Sequence, residues 1–145
     1  MNDQNLGVYA VEESFSKELV ERQGKRNGPI FSVNEEWALG YNNQKKDILF
    51  EVYNKRTWLS DQNKKFTLFA HNLLKNFFNG NENIENLFDI DKWAWFMAAS
   101  DINYYAHGAD VKSVRFYFNP VNAKFEPIPF DGHRIVVDLN KNIIG

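Results

Sequence analysis

Between Ser113 and Asp131 the chain reads SVRFYFNPVNAKFEPIPFD. No other stretch restricts the fold as much. Val114, Phe116 and Phe118 alternate with Arg115 and Tyr117, which is the two-residue period of a strand. NPVN supplies turn chemistry, and AKFEPIP returns as a second strand. A β-hairpin is the expected result. A hairpin alone is only marginally stable, so this one demands more strands and helices to cover its aromatic face. It also delivers a carboxylate, Asp131, directly into Gly132-His133-Arg134.

Helical periods supply the cover. From Gln62 to Phe78, the residues Phe66, Phe69, Leu73, Leu74 and Phe77 fall at i, i+3, i+7, i+8 and i+11, and Gly80 ends the run. A second helix begins near DIDKWAWFMAASDINYY, with Asp89 as N-cap and Asp91 in the first turn, where the dipole favours an acid. Its expected buried side is Trp93, Phe96, Met97 and Tyr104. AHGADVKS then forms a loop before the hairpin. Near the start, Leu6–Val11 reads as a strand. SFSKELVERQG reads as a helix capped by Ser14, carrying Phe15, Leu19 and Val20 on one side and ended by Gly24. GKRNGP is a loop that releases a short extended IFSV. The stretch from Glu35 to about Thr57 is mixed, and RIVVDLNKNIIG gives one more short strand. Both ends read as cut, with further strands expected upstream of Leu6. The expected class is α+β, as a single partial domain over 1–145.

Composition excludes several functions. Of the 145 residues, 43% are hydrophobic and 16% aromatic, far too many for a disordered tail. Seventeen basic residues are scattered among 19 acidic ones for a net charge of −2, so there is no basic stripe for nucleic acid. No apolar run approaches the ~20 residues of a membrane span, and no signal peptide is visible at the start. Cysteine is absent, which removes disulfides and thiolate metal sites. His71, His107 and His133 lack the short spacing of a zinc helix.

The order buried helix, polar loop, hairpin, aspartate is one that kinase-type phosphotransferases use. There the loop supplies a base and a metal-binding amide, and the hairpin presents a second Asp for Mg²⁺. The residues are more specific than the order. HGADVKSVRFYFNPVNAKFEPIPFD resembles the CotH kinase family, atypical protein-kinase-like proteins first known from bacterial spore coats. Members typically carry an aromatic RFY-x-NP strand and a return strand ending EPIPWD or similar. LGVYAVEESFSKELVERQGKRNGPIF is similar to the family's strand-to-helix passage, and IDKWAWFMAASDI to the helix before its catalytic loop. The matched blocks cover roughly half the chain, in order.

The resemblance implies a partial protein-kinase-like fold, mostly the helical C-terminal lobe with the catalytic-loop and hairpin unit, plus the last strand of the N-terminal lobe. It implies ATP with Mg²⁺ (or Mn²⁺) as cofactors, and phosphoryl transfer to Ser or Thr of a coat or surface protein. A spore-coat, exported or cell-surface setting follows from the same likeness. Asp131 matches the family's metal-binding Asp. Glu12 matches the acid that ends the hinge strand, near adenine and ribose. The bland readings are an Asp-Gly turn for Asp131 and a dipole-favoured surface acid for Glu12.

The catalytic loop departs from the family. Aligned on Tyr117, Ser113 stands where the metal-binding Asn belongs, and Gly108 stands where the catalytic Asp belongs. His107 and Asp110 are the nearby candidates for the base, since imidazole titrates near neutrality and a carboxylate can accept a hydroxyl proton. Each is otherwise a solvated loop residue. Ser113 can offer Mg²⁺ a hydroxyl, weaker than an amide carbonyl. The phosphate-holding cation of kinase catalysis has no match, because Lys17, Lys25 and Arg26 all follow the hinge-like strand. An enzyme and a catalytically inactive pseudokinase, kept for surface or coat assembly, both remain open at this point.

Overall fold

The expected hairpin forms the middle and one edge of a four-stranded antiparallel sheet. The computed structural model describes residues 13–34 and 50–132. The expected strands at Leu6–Val11 and in RIVVDLNKNIIG, and Glu12 with them, lie outside the described residues. Helix α1, Lys17–Arg22, leads to β1, Ile30–Val33, and β2, Phe50–Val52. Helices α2 (Lys55–Trp58), α3 (Lys64–Phe78), α4 (Ile84–Leu87) and α5 (Ile90–Ile102) follow. A 3₁₀ turn at Ala106–Ala109 then leads to β3, Arg115–Asn119, and β4, Lys124–Ile128. The strand order is β2-β1-β3-β4. Phe31 pairs with both Val52 and Phe116, and Tyr117 with Glu126. The protein is thus α+β, with five helices among the described residues.

Side-chain alternation sorts the sheet into two faces, and both are buried. Phe31, Val33, Phe50, Val52, Phe116, Phe118 and Phe125 form the main core with Trp58, Ala70, Leu74, Leu87 and Phe88. On the opposite face Ile30, Tyr117 and Ile128 pack with Val20 of α1, flanked by Phe15, Leu19 and Tyr53. Double coverage explains why Arg115 and Tyr117, which alternate with the core phenylalanines, are buried as well.

The turn residues act as their chemistry requires. Asn119 Oδ1 accepts from the Val121 amide, Asn122 Oδ1 accepts from the Lys124 amide, and Ala123 takes the left-handed conformation at φ 55°. Gly24, at φ 69°, closes α1 where a side chain would be strained. The cap of α1 is Ser16 rather than Ser14. Its hydroxyl bonds Glu18 in the first turn instead of a backbone amide.

Two helical expectations need correction. The deepest residues of α3 are Thr67, Ala70 and Leu74; Phe66, Leu73 and Phe77 are half-buried, and Phe69 is exposed. Helix α5 ends at Ile102. Tyr104 sits beyond it, exposed and at φ 58°, and Met97 is 42% exposed, so only Trp93 and Phe96 of the expected side pack inward. The cap itself is as expected: Asp89 accepts from the Lys92 amide. The first turn of α5 is pinned to β4, since the Asp89 amide and the Trp93 indole both donate to the Phe125 carbonyl at 3.0 Å.

Candidate functional site

The 3₁₀ turn at Ala106–Ala109 is the piece that meets the end of the hairpin. It begins directly after α5, where the Tyr105 amide returns to the Ser100 carbonyl at 2.8 Å. Gly108 lies at its centre, buried. A β-carbon at 108 would stand 3.0 Å from Gly132 Cα and 3.2 Å from the Phe130 carbonyl oxygen. Glycine suits this close approach of two backbones, and a side chain at 108 would make the 130–132 segment give way.

This close approach sets His107 beside Asp131. Nε2 and Oδ2 are 3.0 Å apart, with the imidazole N–H donating to the carboxylate. Asp131 has φ 51°, in the left-handed region that asparagine and aspartate tolerate better than most residues. Its side chain is 50% exposed. It lines a cleft of about 370 Å³ walled by Phe15, Leu19, Tyr105, Ile128 and Phe130, with Glu13 at the rim. Glu13 is itself paired with Arg22 at 2.9 Å.

The other candidates are placed differently. Asp110 is exposed and caps the next turn, accepting from the Lys112 amide through Oδ1 at 3.1 Å. Ser113 closes that same turn, its amide donating to the Asp110 carbonyl, and it is only 3% exposed. Neither lines the Asp131 cleft. The structure thus brings His107 and Asp131 together, groups Asp110 with Ser113, and leaves Glu12 outside the described residues.

Two buried charges stand on the hairpin, and sequence reading did not single them out. Arg115 stacks its guanidinium on the Phe130 ring, with Cζ 4.3 Å from the centroid, and lies 5.5 and 5.7 Å from the rings of Phe15 and Tyr53. Its Nη1 donates to the carbonyls of Lys112 and Ser113 at 2.8 and 2.7 Å.

Glu126, on β4, is fully buried. Lys92 Nζ lies 2.7 Å from Oε1, where Asn119 Nδ2 also donates at 2.7 Å. Lys25 Nζ lies 2.7 Å from Oε2 as an ion pair. Burial pushes the Glu126 carboxyl up, but Lys25, Lys92 and Asn119 outweigh it and hold it below the usual carboxylate range. Burial lowers the Lys92 ammonium, and its bonds to Glu126 and Asp89 reverse that into a raised pKa. Burial, with the Glu126 charge adding to it, pushes the Tyr117 phenol up to about 12. Its hydroxyl donates to the Arg26 carbonyl. A strand whose acid faces a tyrosine between phenylalanine rows was the available sign that Glu126 is buried.

Among the described residues, no helix is long and apolar enough to cross a membrane. No curated protein and no solved structure matches the chain. The family model described as CotH kinase protein matches residues 1–135, nearly the whole length. The chain belongs to the CotH kinase family.

Proposed function

We propose that this domain contributes the base-bearing loop and the metal-binding carboxylate of a kinase-like phosphotransferase. In this reading ATP is the donor, Mg²⁺ or Mn²⁺ the metal, and a Ser or Thr hydroxyl of a coat or surface protein the acceptor. The observation that carries it is the 3.0 Å contact between His107 and Asp131, which joins the loop before the hairpin to the residue after it. Kinase-type transfer needs base and metal ligand in one site, where attacking oxygen, phosphorus and leaving oxygen can be held in line.

The donor set fits a metal that arrives with phosphates. Magnesium takes one or two carboxylates, and phosphate and water complete its shell. Among the described residues no three His, Cys, Asp or Glu side chains gather into an all-protein cage. Asp131 is a half-exposed carboxylate on a cleft. With several lone-pair sites on a carboxylate, its bond to His107 and a metal bond are compatible. The metal would neutralise phosphate charge. His107, held beside Asp131, would be the group that accepts the hydroxyl proton. Asp110 is the alternative base, and the buried Ser113 is the weaker choice for a second ligand. Glu12 keeps its suggested place near the nucleotide sugar as part of the same proposal.

The competing reading is an inactive CotH-like module for surface or coat assembly. It draws on Gly108, which supplies no carboxylate, and on α5, which leaves Trp95 and Ile102 each 77% exposed. Thermal unfolding of the protein that contains this chain, with ATP and Mg²⁺ or Mn²⁺, separates the two. A ligand at a hundredfold excess over Kd adds ~2.7 kcal/mol of stability. The enzyme reading expects a metal-dependent rise in Tm that Asp131→Ala removes. No rise at saturating nucleotide supports the assembly reading. An equal rise in Asp131→Ala sinks the metal assignment.

A further inference from the structure

We infer that Arg115 is a positioning residue for Asp131, tying the loop that carries the base to the segment that carries the carboxylate. What the positioned carboxylate does rests on the proposed function; that Arg115 sets its place does not.

The guanidinium is 6% exposed and has two engaged surfaces. Along its edge, Nη1 binds the Lys112 and Ser113 carbonyls, the stretch that continues the His107–Asp110 loop into β3. Its flat face carries the Phe130 ring at 4.3 Å, and Phe130 is the residue immediately before Asp131. Phe15, itself 5.2 Å from Phe130 by ring centroids, closes the cage from the segment just before α1. One rigid planar group therefore spans both halves of the site, 15 residues ahead of Phe130 in sequence. With Phe130 held on Arg115 and Gly132 held against Gly108, both neighbours of Asp131 are fixed. The left-handed Asp131 between them has its Oδ2 3.0 Å from His107 Nε2.

Simple packing does not call for arginine here. Its Nε is buried without a hydrogen-bond partner among the described residues, so the site carries a desolvated polar group that an aliphatic side chain would avoid. Lysine could supply the charge. It could not supply a planar face for Phe130 together with a fixed fork for the carbonyls.

The test reads the His107 ring directly and needs no nucleotide. Long-range ¹H–¹⁵N spectra of the imidazoles are recorded at about pH 9, well above the ordinary histidine pKa of ~6.5. His107→Gln assigns the signal. Arg115→Lys and Phe130→Leu are compared with Leu74→Val, a core change on the opposite face of the sheet. The expected result is that both site variants move the His107 ring nitrogens toward free-imidazole values, while Leu74→Val leaves them in place. A folded Arg115→Lys protein with wild-type His107 signals overturns the inference. If that variant does not fold, an unchanged His107 signal in Phe130→Leu overturns it.

Mn²⁺ alone, titrated into the same samples, adds a second readout through paramagnetic broadening of His107. Disturbing a residue that orients a metal ligand commonly costs 10- to 100-fold in affinity, so Arg115→Lys should need at least ~10-fold more Mn²⁺. Absence of broadening in the wild type, with Mn²⁺ alone and again with ATP present, would sink the metal reading, and the ring signals would still decide the role of Arg115.

Discussion

Glu126→Gln is the substitution whose outcome the structure constrains most closely. Glu126 has no exposed surface and meets Lys25 and Lys92, each at 2.7 Å, while Asn119 donates to it at 2.7 Å. Gln keeps the shape and can keep the Asn119 bond. It loses the charge that both ammoniums face, and its amide NH₂ must point at one of them. Hydrogen bonds to charged groups contribute ~1.5–3 kcal/mol each, and removing one partner of a fully buried pair costs ~3–5 kcal/mol. The lysines soften this. Their side chains are 22% and 44% exposed, so each ammonium can turn toward water. A net loss of about 2–3 kcal/mol is expected, against a total stability of ~5–15 kcal/mol for a domain. With a urea slope of ~1–3 kcal/mol/M, the midpoint should fall by about 1 M at neutral pH.

The pH dependence gives a sharper check. The Glu126 carboxyl lies below its ordinary value of 4.5 in the folded state. A depressed acid stabilises fully above the unfolded pKa, and that stability disappears as pH falls through the folded pKa. The gap between wild type and Glu126→Gln should therefore be widest at neutral pH and should narrow below about pH 4.5. Urea titrations at stepped pH measure it. A gap under 0.5 kcal/mol at neutral pH, or one that stays constant into acid, would refute the claim that two lysines hold a charged Glu126.

The remaining predictions concern the two approaches to the site. Gly108→Ala places a β-carbon 3.0 Å from Gly132 Cα, so the 130–132 segment must shift; a stability loss of ~1–3 kcal/mol and weaker Mg²⁺-nucleotide binding are expected, and calorimetry showing full affinity would contradict it. Asp89→Ala removes the α5 cap and one of the two carboxylates on Lys92 while leaving Glu126 in place. A loss of about 1 kcal/mol by urea unfolding is expected, and a loss above 3 kcal/mol would mean that the α5–β4 junction depends on the cap far more than its geometry indicates.

Local chemistry was legible in the sequence wherever it decides local structure. The hairpin announced itself through alternation and Asn-rich turn residues, and β3 and β4 lie where that pattern put them. Asp89 caps α5 because an acid before an apolar run has one good use, and Gly24 ends α1 because its φ of 69° strains other residues. What the pattern missed needs knowledge of the second layer. Periodicity marked Met97 and Tyr104 as inward, yet an apolar period shows only that a face seeks a partner. Neither Arg115 nor Glu126 stood out in the alternation, and α1 with its flanking residues buries that side of the hairpin as a second core. The His107–Asp131 contact joins residues 24 apart, brought together by the packing of Gly108 against Gly132 and of Phe130 on Arg115.

The energetics of the hairpin bear on whether this region is kept for chemistry or only for shape. A left-handed aspartate costs ~1 kcal/mol more than glycine would at the same φ. A buried arginine with an unsatisfied Nε and a buried glutamate between two lysines are both commonly matched or exceeded in stability by apolar residues of similar size. All three costs fall on β3, β4 and the residues directly after them. The aspartate and the arginine converge on one consequence: the Asp131 carboxylate is held 3.0 Å from His107 while Phe130 beside it is braced on Arg115. A surface scaffold would gain nothing from that placement, because Asp131 is half-exposed in a cleft rather than displayed on an outer face. Strain concentrated at one carboxylate and its supports is what a functional site accumulates, and it favours a functional role for Asp131 over a purely structural one.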